Sequence, residues 1–252
     1  MTQLPFSQSS YSVMLNDLRK AGYLFPTFSE YSHLSHCSKS VKYCLLRHDV
    51  DVSIDYALDM ARLESSHGLR STYFLMLRSP MYNLMSRHAS AAIQLLLELG
   101  HDIGLHFDAG CPRRKNMSLV DDLKFELGVL GGLLGRSISA FSFHQPSQEV
   151  IQSRVELRGI INTYHPDHLP GYTYISDSNR SWRGMTPFEL PSWCLDRVQL
   201  LIHPIWWMCE SEHTSECWDR AVVRNFETMQ NQLIETERAY GSSRILSIAN
   251  ES

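Results

Sequence analysis

Two aspartates one residue apart, Asp49 and Asp51, follow the run Leu45-Leu46-Arg47-His48 and are the strongest chemical signal in the chain. Strand alternation puts Arg47, Asp49 and Asp51 on one side and His48 and Val50 on the other. Carboxylates that close stay ionised together only beside a positive charge. A metal ion or a catalytic proton is the usual answer. A solvated loop, with Ser53 capping the next helix, is the plain alternative. The ends of the other strands bear on the choice.

The elements that must position these residues follow from hydrophobic periodicity and from breakers. Helices are predicted at 10–21, 54–67, 85–99, from Ser118 toward the Gly131-Gly132 pair, at 149–157 and at 221–240. Strands are predicted at 43–47, 71–77, 102–106, 138–143, 159–162, 172–175 and 197–203. Residues 23–42 look irregular and are expected to cover one end of the fold. Helices that alternate with apolar strands favour parallel pairing with both faces covered. The expectation is a single distorted (β/α) barrel of about seven parallel strands over residues 1–252, with 1–42 as an N-terminal helix and covering segment. An open doubly wound sheet competes with it, but no Gly-x-Gly-x-x-Gly turn follows a strand.

Composition narrows the function classes. The 252 residues are 43% hydrophobic and 20% charged, an ordinary globular balance. The formal net charge is -4 with no long basic run, which argues against nucleic acid or an anionic membrane as main partner. No apolar run approaches the ~20 residues of a membrane span. Met1-Thr2-Gln3-Leu4-Pro5-Phe6 does not read as a signal peptide, so a cytoplasmic protein is expected. Cys37, Cys44, Cys111, Cys194, Cys209 and Cys217 form no Cys-x-x-Cys pair and are expected to be reduced thiols.

Ligands in parallel α/β folds bind at the carboxyl ends of strands. Those ends carry Asp49 and Asp51, then His106 with Asp108, then His144, then Tyr164 with His165, then His203. Carboxylate with imidazole is the ligand mix of a catalytic zinc site. Together the phrases Asp49-Val50-Asp51, Gly100-His101-Asp102-Ile103-Gly104-Leu105-His106 and Leu201-Ile202-His203-Pro204 resemble the polysaccharide deacetylases of carbohydrate esterase family 4, in a sugar de-N-acetylase branch. The resemblance spans residues 47–207. It implies Asp49 as catalytic base, Asp51 and His106 as metal ligands, and His203 as the group that assists the leaving amine. It also implies a divalent metal, most often zinc, and a small-molecule amino-sugar substrate.

Two departures stand out. The family's second metal histidine would fall on Gly110, which has no side chain to donate. His144 is the favoured replacement, with Asp108 and His48 as other choices. Gln145-Pro146 stands where the family often has Arg-Pro, so Arg183 or Arg47 must orient the catalytic aspartate. Asp177 and Trp182, in Ser176-Asp177-Ser178-Asn179-Arg180-Ser181-Trp182-Arg183, resemble the family's Asp-Trp motif. Arg183, Trp182, Trp206 and Asp177 are the expected substrate contacts. His101 is expected to be structural, at least one of Trp206 and Trp207 to be core, and Arg113-Arg114-Lys115 to be a solvated loop. Tyr164, His165 and His168 are candidates for a substrate groove. The competing functions are a metal-independent amidase on the same barrel, supported by Gly110, and a non-catalytic carbohydrate-binding relative.

Overall fold

The computed structural model describes residues 6–34, 41–193 and 195–242. Eight strands appear in chain order as β1 (Tyr23–Leu24), β2 (Lys42–Val50), β3 (Thr72–Leu75), β4 (Asp102–Phe107), β5 (Ala140–Phe143), β6 (Ile161–Asn162), β7 (Thr173–Ser176) and β8 (Arg197–Ile202). Nine α-helices accompany them among the described residues: α1 (Gln8–Lys20), α2 (Phe28–Tyr31), α3 (Ile54–Ser66), α4 (Arg87–Glu98), α5 (Leu119–Leu134), α6 (Gln148–Gln152), α7 (Leu190–Trp193), α8 (Pro204–Met208) and α9 (Thr214–Thr236). Every strand pair is parallel, in the order β6-β5-β4-β3-β2-β8-β7, with β1 beside the start of β2. The seven strands of this path curl into a half-barrel, a distorted (β/α) barrel whose edge strands are β6 and β7. None of the helices among the described residues is long and apolar enough to cross a membrane.

Two apolar clusters follow from strands buried on both faces. The larger packs α1, α3, α4, α5 and α8 against the outside of the sheet. The smaller, Phe28, Leu45, Phe74, Ala140, Ile161 and Leu169, lies inside the curl. Helix α2 closes the end where the strands begin. Thr27 and Glu30 form a capping box around it. The Phe28 N–H donates to Thr72 Oγ1 at 3.0 Å, and the Phe28 and Phe74 rings meet edge to face. Gly104 sits opposite Phe74, whose ring would lie 2.5 Å from any Cβ there, so only glycine leaves the ring its space.

Several boundaries differ from the sequence expectation. Helix α5 runs through Gly131-Gly132 and stops at Gly135, where φ is +63°. Helix α6 ends at Gln152, because Arg154 turns left-handed at φ +45°. Helix α9 begins at Thr214 and stops at Thr236. Ser53 occupies the N-cap of α3 but makes no cap hydrogen bond. Cys44, Cys111, Cys209 and Cys217 are unpaired thiols, whereas Cys37 and Cys194 lie outside the described residues.

Strand β2 alternates as its pattern requires. Arg47 and Asp49 turn into the curl and meet there, while His48 turns outward to Glu64 of α3. Glu64 is fully buried and accepts from Tyr11, His48, Ser71 and Tyr73. His48 Nδ1 donates to the Ile202 carbonyl at 3.1 Å, tying β2 to β8 one residue before His203. Burial resists ionisation of Glu64, but His48 and the other donors prevail and lower its carboxyl to about 2. A depressed carboxyl stabilises the fold above its unfolded value near ~4.3, and that stability is lost as pH falls through the folded value. Glu64→Ala strands four buried donors and is expected to cost on the order of 4 kcal/mol. Glu64→Gln is expected to flatten the fall in thermal midpoint between about pH 4.5 and 2 relative to the unaltered chain. Thermal melts across that range check both.

Candidate active site and metal centre

The side chains that could do chemistry gather where β2, β4, β5 and β8 end. Asp51 follows β2, His106 is the fifth residue of β4, and His144 and His203 follow β5 and β8 directly. Asp51 Oδ1 lies 3.0 Å from His106 Nε2 and 3.2 Å from His144 Nδ1, and the two imidazole nitrogens are 3.2 Å apart. Among the described residues these three form the one group of His, Cys, Asp or Glu atoms close enough to hold a metal ion. A tetrahedral ion with bonds near 2.0–2.1 Å needs ligand atoms roughly 3.3 Å apart. The triangle fits that requirement.

The surrounding hydrogen bonds suit such a role. Ser142 of β5 lies 2.6 Å from His106 Nδ1 and also donates to Asp49 Oδ1 at 3.4 Å. With its hydrogen so used, Ser142 accepts from Nδ1–H and leaves the Nε2 lone pair toward Asp51 and His144. That is the arrangement by which an outer partner fixes a ligand's tautomer. Burial opposes the charge on Asp51, but the His106 imidazole beside it and the hydrogen bond from His144 hold its carboxyl well below the usual range. The same bond to Asp51 raises His144, against its burial. Gln145, next in sequence, takes the left-handed φ of +39° as the chain leaves β5, a strained choice for a non-glycine residue.

Asp49 is held from below. Arg47 Nε and Nη2 reach its two oxygens at 2.9 and 2.7 Å, a bidentate pair almost wholly out of solvent. Burial alone would raise this carboxyl, and Arg47, with His106 beside it, lowers it instead. Arg47 Nη2 also donates to the Tyr164 hydroxyl at 3.2 Å. Of the two arginines weighed from the sequence, Arg47 is the one that touches Asp49, and Arg183 stands exposed at the cavity wall.

His203 completes the group. Its Nδ1 meets Asp177 Oδ1 at 2.6 Å, its backbone N–H donates to the same carboxylate, and its Nε2 lies 3.9 Å from Asp51 Oδ2. Asp177 also accepts from Trp207 Nε1 at 2.9 Å. Burial disfavours a charged His203, but the Asp177 carboxylate outweighs it, with Asp51 and Asp49 adding to the pull, and pushes the imidazole up to about 9.

Asp49, Asp51, His106, His144 and His203 all open into one cavity of about 600 Å³, which Arg183 and Trp206 also line. Two expected substrate contacts do not reach it. Asp177 is wholly buried behind His203, where its oxygens serve the imidazole and an indole. Trp182 stacks on Phe6 and tilts against Trp207 on the far side of β8. Trp206 and Trp207 are both core, and Trp206 also meets Trp218 edge to face at the cavity wall. His48 faces Glu64, and Asp108 accepts from the Gly110 N–H and bonds Cys111, so neither joins the donor triangle. His101 is buried, with Nε2 on the Ala61 carbonyl. Arg114 pairs with Asp122 and covers the Phe125 ring. Tyr164 lines the cavity. The sequence reading missed Ser142 and the pairing of Asp177 with His203.

No family model and no curated protein matches the sequence. Similar solved structures include a CE4 family pseudoenzyme from Bacillus anthracis, with 14% identity and a TM-score of 0.46 over 76% of this chain and 63% of that one. A Streptococcus pyogenes deacetylase in complex with acetate is similar at 15% identity and a TM-score of 0.48, over 81% of this chain and 84% of that one. The chitin deacetylase of the fungal pathogen Colletotrichum lindemuthianum is similar at 14% identity and a TM-score of 0.42, over 73% of this chain and 81% of that one. The chain thus spans less than two thirds of the Bacillus anthracis protein's length.

Proposed function

We propose that this protein is a metal-dependent hydrolase that removes the acetyl group from an N-acetylated amino sugar, with Asp51, His106 and His144 holding a divalent cation. One observation carries the reading: the donor triangle lies in the same cavity as Asp49, paired with Arg47, and His203, paired with Asp177. The cation supplies Lewis acidity to an acyl oxygen and to water, and zinc suits these ligands. Asp49, fixed by Arg47, takes a proton from the attacking water. His203, oriented by Asp177, gives its proton to the amide nitrogen as the C–N bond breaks. Acetate and a free amine leave. The cavity volume suits a substrate of one or two sugar rings rather than a larger rigid body. A small cytoplasmic amino sugar, rather than a polymer, is the substrate class we favour. The donor triangle weighs against the metal-independent amidase.

The reading is tested by acetate release from a panel of N-acetylated sugars, before and after chelation and with zinc restored. Release that chelation stops and zinc restores is the expected result. A zinc-loaded protein that frees no acetate from any of them overturns it.

Asp177→Asn isolates the acid. His203 must be protonated to serve the amine, so activity falls as pH rises past its value. Removing the Asp177 charge leaves burial as the main influence and lowers that value from about 9. The alkaline limb of the kcat profile is therefore expected to move to lower pH, with KM changed little. An unmoved limb would take His203 out of the acid role.

A further inference from the structure

A second cavity, of about 220 Å³, lies at the seam of the half-barrel. It sits between Gln199 of β8, the edge strand β7 and the loop that follows the other edge strand, β6. A closed barrel would fill this gap with paired strands. Here the walls include Tyr164, His165, Leu169, Tyr172 and Tyr174, beside the exposed Pro166. Tyr164 and Tyr174 also line the larger cavity, so the two spaces share a wall.

Three polar atoms of this lining are buried without a partner, the Tyr172 hydroxyl, Thr163 Oγ1 and Gln199 Oε1. Thr163 and Gln199 are 4% and 3% exposed. Folded proteins rarely leave such atoms unpaired, so an occupant that pairs them is called for. The orientation of Gln199 is set, because its Nε2 donates to the Thr163 carbonyl at 3.2 Å and a flipped amide would face oxygen with oxygen. The cavity therefore presents a fixed acceptor and two hydroxyls. A carboxylate or phosphate is repelled at Gln199 Oε1. A hydroxyl group donates there and accepts from Thr163, and aromatic faces suit the C–H faces of a sugar ring. The volume is below the usual range for drug-sized ligands.

We propose that the seam cavity is a second ligand site that takes one neutral, hydroxyl-bearing saccharide or polyol unit beside the reaction cavity. The site does not depend on the hydrolase reading. Its test is ligand-observed NMR titration of the full chain with methyl glucoside and glycerol as neutral probes and acetate as the anionic one. The expected result is saturable binding of a neutral probe, weakened at least tenfold by Thr163→Val and by Gln199→Met and unchanged by Asp51→Asn. Thr163→Val keeps the side-chain shape, so its result stands even if Gln199→Met folds poorly. No saturable binding of either neutral probe to the unaltered chain overturns the proposal. So does binding that ignores Thr163→Val, binding that Asp51→Asn abolishes, or a probe-soaked crystal with only water in the cavity. A preference for acetate would likewise refute the assigned chemistry.

Discussion

Asp49→Asn is expected to lower kcat by about 10³-fold or more, within the range of an essential acid–base group, while the protein keeps its metal. The amide retains the shape of the carboxylate and one acceptor oxygen but cannot take a proton from water. The change also has a structural cost. Arg47 is wholly buried, its Nη1 has no partner, and Asp49 is the carboxylate it meets in a bidentate pair. Removing one charge of a buried pair leaves the other uncompensated, which destabilises by about 3 kcal/mol or more. Two readouts should therefore move together: turnover collapses and the thermal midpoint falls. Arg47→Met with Asp49→Asn removes both charges and should recover part of the midpoint without recovering turnover. The paired result separates base chemistry from loss of fold. Acetate release by Asp49→Asn at more than a tenth of the normal rate would dismiss Asp49 as the base.

The contrast between what the sequence exposed and what it hid has a physical basis. Period-two alternation alone places Arg47 and Asp49 on one face and His48 on the other. Strand ends in a parallel sheet share one side, so Asp51, His106, His144 and His203 could be gathered from their positions alone. Asp177 could not be read in the same way. Its partner is fixed by the register of β7 on β8, where Ser176 lies opposite Leu201, and no local pattern encodes that pairing. The same holds for Glu64. Its place on α3 looks ordinary until packing brings Tyr11, His48, Ser71 and Tyr73 to its oxygens from three other elements. Short elements were also hidden. Helices α2 and α8 have four and five residues, too few for a periodic signal, yet one closes the barrel and the other buries Trp207.

His144→Ala is expected to strip the protein of most of its divalent metal and, with it, its activity. The reasoning starts from the number of donors. Asp51, His106 and His144 offer three, and removal of one leaves a carboxylate and a single imidazole. The loss in affinity should exceed the 10–100-fold that follows from disturbing a ligand's hydrogen-bond partner. Ser142→Ala provides that smaller reference, since Ser142 bonds His106 Nδ1 without entering the triangle. The fold should tolerate both changes better than Asp49→Asn. The His144 side chain is 22% exposed and, among the described residues, its hydrogen bonds are to Asp51 and His106, so no buried charge is stranded inside the core. Elemental analysis of the purified proteins, with zinc titration after chelation, gives the order expected: unaltered chain tightest, Ser142→Ala weaker, His144→Ala weakest. Full metal content in His144→Ala would remove it from the ligand set. If turnover nevertheless fell, the imidazole would have to act on protons rather than on a cation, because its hydrogen bond to Asp51 already raises its affinity for a proton.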